Sequence, residues 1–310
     1  MAPTRTIILT GGNGSLGSKI ACCLAKDYPG LYHIVLTARN ITSESARQAS
    51  DELRLHTFAF SWETLDLASF QSVNNLTATI KEKIAKRALP KLYGIINSAG
   101  ISTNQTKRIT GDGFDLTYQT NVLSPMLLIS NLLDILSPKG IIVNVASAAH
   151  SLGEIDYFRN LNEENGPDKL SLKGGLTKYG SSKLLIIMAG YVLHRKLEGK
   201  VQIAALDPGG MSGGSRLSSD MHWFLSASRT LLTGLRPLVR LAMKSAINPP
   251  EVPAQAISDL FKNNANVDGK YFILDDESKP SPLCLDKAKQ DEVWGYLLED
   301  FKGKNIALKF

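Results

Sequence analysis

Seven short runs rich in Ile, Val and Leu recur along the chain, separated by stretches of helical length. The runs are Thr6–Leu9, His33–Ala38, Phe58–Ser61, Leu92–Asn97, Ile141–Ala146, Val201–Leu206 and Lys270–Leu274. Apolar spacing predicts helices over Leu16–Tyr28, Thr42–Leu55, Ser69–Ala88, Gly113–Leu136, Lys178–Leu197 and Pro253–Phe261. Strands separated by helices cannot close as hairpins; they build βαβ units and a parallel sheet. The expected fold class is α/β, one doubly wound parallel sheet with helices on both faces. No linker, charge block or internal repeat divides the 310 residues, so residues 1–310 read as one domain. Ligands of such sheets bind beyond the carboxyl ends of the strands, and function is sought there.

After the first strand comes Thr10-Gly11-Gly12-Asn13-Gly14-Ser15-Leu16-Gly17, which opens the first helix. Residues 12–17 fit G-x-G-x-x-G. Glycines let the backbone turn tightly and approach a pyrophosphate, and the helix start supplies free N–H groups and a positive dipole end. A plain glycine-rich turn is the other reading; the strand–turn–helix context favours a dinucleotide cradle made by Gly11, Asn13, Ser15, Leu16 and Gly17. The second strand ends at Ala38-Arg39, where an NAD site places an acid on the ribose hydroxyls. Arg39 would instead pair with a 2′-phosphate, through a charge-assisted bond worth about 1.5–3 kcal/mol. The expected cofactor is therefore NADP(H). Asp66-Leu67 follows the third strand, at an adenine-contacting position or a helix cap.

Other classes lose ground on composition. The net charge of +6 is scattered, without the basic stripe interleaved with aromatics of a nucleic-acid binder. The longest apolar run, Leu184 to Leu193, is too short to span a bilayer, and a strand beginning at Thr6 leaves no room for a signal peptide. Cys22, Cys23 and Cys284 are odd in number and lack metal-type spacing, so neither a disulfide framework nor a metal site is expected. Cys22 and Cys23 read as core of the first helix. A reducing, cytoplasmic setting is the expectation.

Tyr179-Gly180-Ser181-Ser182-Lys183 places Tyr and Lys four apart on one helix face. Such a pair is a weak sign alone, since Tyr191 and Arg195 make another. Its company singles it out. Ser147 follows the strand ending at Ala146. Asn97-Ser98-Ala99-Gly100 follows the Leu92 strand, and Pro208-Gly209 the Val201 strand. Asn121 is a polar residue inside an apolar helix, which needs a reason.

In this order, over residues 6 to about 210, these features resemble the short-chain dehydrogenase/reductase family. The resemblance implies a Rossmann fold, a nicotinamide cofactor, a catalytic tetrad of Asn121, Ser147, Tyr179 and Lys183, and cofactor contacts from Asp66, Leu67, Asn97, Ala99, Gly100, Tyr179, Lys183, Pro208 and Gly209. The family often forms homo-oligomers; no motif here decides the matter. The substrate would be a small-molecule carbonyl or alcohol. Reducing a ketone places negative charge on its oxygen, and Tyr179 can donate the proton. At about 4 Å, a Lys183 cation contributes roughly 4 kcal/mol at an effective dielectric near 20. That lowers a Tyr pKa of about 10 by roughly two to three units. Ser147 would hold the substrate oxygen, and Asn121 would link Lys183 to a proton relay through its helix backbone and a water.

Three features depart from the commonest pattern. Ser15 stands where the compact members have the middle glycine, and Gly11, Gly14 and Gly17 instead match the extended branch. The Asn97–Gly100 turn favours the compact branch. Ser147 and Tyr179 lie 32 residues apart, with an insert over 151–177 like that of retinol-dehydrogenase-like and fungal reductases, in which Ala149-His150 follows the Ser. His150 reads either as pocket lining or as a hydrogen-bonded loop residue. The usual Thr after Pro-Gly is missing; Ser212 or Ser215 are candidates for its place. Over 212–250, apolar residues at helical spacing, with Arg236, Arg240 and Lys244 on one face, read as a lid over an apolar substrate, as core packing or as a peripheral membrane contact. Rival functions are a redox-neutral NADP-bound lyase or isomerase, and a non-enzymatic NADP(H) sensor; the latter would have lost its Tyr or Lys, and this chain keeps both.

Overall fold

A computed structural model describes residues 2–103, 108–160, 170–211, 248–262 and 265–310. Strands β1 (Arg5–Leu9), β2 (Tyr32–Ala38), β3 (Phe60–Thr64), β4 (Lys91–Asn97), β5 (Leu136–Val145), β6 (Gln202–Asp207), β7 (Lys270–Ile273) and β8 (Asp276–Ser278) form one sheet. Its order is β3-β2-β1-β4-β5-β6-β7-β8. Every pairing is parallel except β7 with β8. The order reverses between β1 and β4, and such a switch point opens a crevice at the strands' carboxyl ends.

Successive strand residues point to opposite faces, and both faces are covered. On one side Ile8, Val35, Ile95 and Ile142 pack under α3 (Phe70–Ala85), α5 (Ser124–Leu132) and α6 (Leu172–Leu197). On the other, Ile7, Leu9, Ile34 and Leu36 pack under α1 (Ser15–Asp27), α2 (Glu44–Arg54) and α7 (Glu251–Asp259). Burial on both faces is why these strands read as continuous apolar runs. Short helix α4 (Leu116–Tyr118) precedes α5, and α8 (Pro282–Leu285) and α9 (Lys287–Lys302) follow the sheet.

Several boundaries move. The expected helix over 113–136 starts at Leu116, passes through a π-helical turn over Gln119–Leu123, and gives way to β5 at Leu136. The third strand lies at Phe60–Thr64 rather than 58–61, and Phe58 is 85% exposed. An edge strand with one neighbour is only partly covered, so its polar residues alternate and blur the apolar signal. Helix α6 starts at Leu172, inside the expected insert, where the Ser171 hydroxyl accepts the Gly174 N–H. Helix α9 is an addition: Val293, Trp294, Leu297 and Phe301 are buried along one stripe, and Asp286 caps its start. Among the described residues, no helix is long and apolar enough to cross a membrane. Of the expected lid over 212–250, residues 212–247 lie outside the described residues; its two ends meet where Met211 bridges Asn248.

Candidate active site at the carboxyl edge of the sheet

The glycine turn is shaped by close approach. Gly11 has φ +68° and its carbonyl accepts the Gly14 N–H at 2.9 Å. A Cβ on Gly17 would stand 2.3 Å from that same oxygen. Gly14 caps α1 without offering a side chain, and no acid occupies the first turn, so the positive end of the helix is open to an anion. Leu16 is buried beneath the turn and Ser15 exposed above it; Asn13 donates to Ser45 at 3.1 Å. The Thr10 hydroxyl accepts the Ala99 N–H at 3.0 Å, tying this turn to Asn97–Gly100. Arg39 is exposed at the end of β2 and makes no ion pair among the described residues. The Asp66 carboxylate accepts the N–H of Ala68 at 3.0 Å, while Leu67 is buried and its carbonyl accepts from Ser124. A turn that needs glycine at Gly11 and Gly17, an uncapped helix start and an arginine with no ion pair among the described residues together fit a phosphorylated dinucleotide.

Asn121, Ser147, Tyr179 and Lys183 converge next to this turn. Lys183, one turn after Tyr179 on α6, holds its Nζ 5.7 Å from the Tyr179 ring centre and donates to the Val145 carbonyl at 2.6 Å. Gly100 sits beside both groups: a Cβ there would lie 3.5 Å, ordinary contact distance, from Lys183 Nζ and from Asn121 Oδ1. Ser147 lies close enough to Tyr179 to favour its phenolate. Ser147 ends the extended chain and caps the 3-10 turn Ala148–Leu152, its Oγ accepting the Ala149 N–H at 3.3 Å.

The Asn121 side chain is fully engaged. Its Oδ1 accepts Ile101 N–H at 2.9 Å, and its Nδ2 donates to Ile101 O at 2.8 Å and Ser182 Oγ at 2.9 Å. The main chain differs. Residue 125 is proline, so the Asn121 carbonyl has no donor four residues on. The π-helical turn sits there, as such turns do at functional sites.

Burial governs the electrostatics. It pushes the Tyr179 hydroxyl above the ordinary tyrosine value; the Ser147 contact works against this and the Asp207 charge with it. Burial lowers Lys183 to about 8, while Asp207 raises it. The net shift is upward, against the lowering expected from Lys183: taking a phenol out of water penalises the phenolate more than the Ser147 contact compensates. Asp207, at the end of β6, is itself raised by burial, with the Gly209 N–H on its carboxylate at 2.9 Å opposing that shift. Pro208 is buried and Gly209 turns with φ +66°.

Sequence reasoning passed over Asp207, Ser182 and Gly180. Asp207 stood in plain view before Pro208-Gly209, at a strand's carboxyl end. A Cβ on Gly180 would lie 2.2 Å from the Ala149 carbonyl oxygen, so α6 and the Ser147 turn touch backbone to backbone. His150, a candidate pocket residue, is 5% exposed and uses both ring nitrogens on the protein's own main chain.

Comparison with known proteins agrees with this arrangement. The family model for short chain dehydrogenases matches residues 5–157. Human retinol dehydrogenase 13 is 31% identical over 299 residues, covering 94% of this chain and 83% of that protein. Short-chain dehydrogenase iccH of Talaromyces variabilis is 27% identical over 350 residues, covering 93% of each. Among solved structures, a landomycin C-6 ketoreductase with bound NADP and rabelomycin has a TM-score of 0.62 at 17% identity, covering 88% of this chain and 95% of that one. An NADPH-bound carbonyl reductase from chicken fatty liver has 0.60 at 19%, covering 90% and 99%; both likenesses are of fold. Sequence relatives along nearly the whole chain, on a doubly wound sheet of this order, lead to one conclusion: the chain belongs to the short-chain dehydrogenase/reductase family, and it is an oxidoreductase.

Proposed function

We propose that this protein is an NADP(H)-dependent reductase or dehydrogenase that interconverts a carbonyl and an alcohol on a bulky apolar small molecule. The meeting of Tyr179, Ser147 and Lys183 beside the glycine turn carries the reading. When bound, the nicotinamide cofactor supplies or accepts the hydride. Ser147 Oγ accepts from Ala149, and its single O–H, which faces Tyr179 in the free protein, would turn to donate to the substrate oxygen. Tyr179, kept protonated by burial, donates the proton that the nascent alkoxide needs. The Lys183 ammonium, held against Val145 O, favours negative charge on the Tyr179 oxygen during that transfer. The Asn121 carbonyl, short of its helical donor, is the acceptor through which a water would return a proton.

Arg39 supports NADP(H) over NAD(H), in keeping with the NADP and NADPH of the structural neighbours, while the open start of α1 suits the pyrophosphate that both cofactors carry. The apolar substrate class draws support from the names retinol dehydrogenase and rabelomycin among the relatives and neighbours. The cytoplasmic setting rests on three free cysteines, all buried. The test is nicotinamide absorbance with a panel of apolar and small polar ketones, on wild type and Tyr179→Phe. Turnover of apolar ketones with NADPH, lost in Tyr179→Phe while NADPH binding persists, is expected. Turnover above about a tenth of wild type in Tyr179→Phe would mean another group donates the proton.

A further inference from the structure

The 3-10 turn after Ser147 buries a histidine that the reaction itself does not touch. His150 lies 5% exposed, its ring 5.5 Å from that of Tyr271. Its Nε2 receives the main-chain N–H of Ser281 at 2.9 Å. A backbone N–H can only donate, so Nε2 presents its lone pair. The ring proton of the neutral imidazole then sits on Nδ1, 2.7 Å from the Ser147 carbonyl oxygen, which can only accept. Both bonds are satisfied by one tautomer and by no other. The same carbonyl accepts the His150 main-chain N–H at 3.0 Å, so His150 holds it twice.

We infer that His150 is a positioning residue for Ser147, a role that rests on the catalytic reading of Ser147 given above. Fixing a residue's carbonyl fixes its ψ, and at Ser147, with φ −168° and ψ 147°, that sets the bearing of Cβ and Oγ relative to the turn that follows. The far nitrogen anchors the ring to Ser281, just before α8, so the C-terminal segment braces the Ser147 turn from outside. Among the described residues, Oγ itself accepts the N–H of Ala149 at the long distance of 3.3 Å. Small errors in placing a catalytic group cost rate far more than they cost binding, which separates this role from a merely structural one.

The variants divide the two bonds. His150→Asn keeps an N–H donor where Nδ1 stands and loses the acceptor for Ser281. His150→Gln can offer an acceptor farther out and loses the near donor. His150→Ala loses both. Steady-state kinetics and NADPH binding should be measured on each, alone and with Ser147→Ala. In His150→Ala, kcat should fall about tenfold or more with the NADPH dissociation constant nearly unchanged; His150→Asn should recover most of it and His150→Gln little. Added to Ser147→Ala, His150→Ala should cost less than about twofold, because the group it aims is gone. Full kcat in His150→Ala, no recovery in a folded His150→Asn, or an undiminished cost on top of Ser147→Ala would overturn the inference. Should His150→Ala not fold, the Asn and Gln pair decides it alone, and equal rates in the two would refute it. If Ser147→Ala runs at the wild-type rate, the catalytic reading of Ser147 is what fails.

Discussion

Lys178 donates to Asp115 across 2.6 Å, with the two side chains 0% and 2% exposed. The Asp115 carboxylate also caps the next helix, accepting from Thr117 at 2.8 Å and Tyr118 at 3.3 Å. One buried ion pair thus joins the helical stretch carrying Asn121 to the residue before Tyr179. Removing one partner of such a pair strands a charge in the interior, at a cost of about 3–5 kcal/mol, whereas removing both can be nearly neutral. Lys178→Met and Asp115→Asn should each destabilise by that amount in denaturant unfolding, and the double variant should lose less than either single one. Additive losses would show that the pair is not a closed unit.

Gly180→Ala should damage activity out of proportion to its size. Its Cβ would press on the Ala149 carbonyl at 2.2 Å, and neither backbone can yield without moving Ser147 away from Tyr179. A loss of about 1–3 kcal/mol in stability and a clear fall in kcat are expected. Gly175→Ala on the same helix meets nothing within 4 Å among the described residues and should stabilise by up to about 1 kcal/mol. Similar kinetics in the two variants would remove the contact from the account.

Pro125→Ala restores an N–H four residues after Asn121 and lets the helical ladder reclaim that carbonyl. Turnover should fall while thermal stability holds or rises and NADPH binding stays level. A variant with higher stability and full turnover would show that the proton relay does not run through this carbonyl.

The pH profile should follow Lys183. Its folded value is lowered to about 8, so its ammonium is present below that pH and lost as pH rises through it. Reduction, measured as kcat/KM, should decline through about pH 8. Asp207 raises Lys183, so in Asp207→Asn the alkaline limb should move to lower pH. A limb that stays put, or moves upward, would assign it to another group.

Arg39→Ala should weaken NADPH binding by roughly tenfold to a hundredfold, the value of a charge-assisted bond, and leave NADH binding almost unaltered. Calorimetric titration of both cofactors decides it; equal losses for the two would make Arg39 a general surface charge.

How much of this was legible in the chain follows from the range of the forces involved. Alternating strand and helix patterns, the glycine turn and the residues just past each strand are local signals, and they carried the sheet, its doubly wound class and the neighbourhood of the site. Helix α9 also had its stripe of Val293, Trp294, Leu297 and Phe301, and could have been read. Tertiary structure alone decided what depends on which surfaces close over which groups. Lys178 looks like any surface lysine until α4 brings Asp115 to it across 63 positions. The direction of the Tyr179 shift depends on desolvation, which no spacing encodes. His150 could be pocket lining or a hydrogen-bonded loop residue until Ser281, 131 residues away, occupied its far nitrogen. Residue types and spacing state which chemistry is available; only packing fixes the solvent, the partners and the protons that each group keeps.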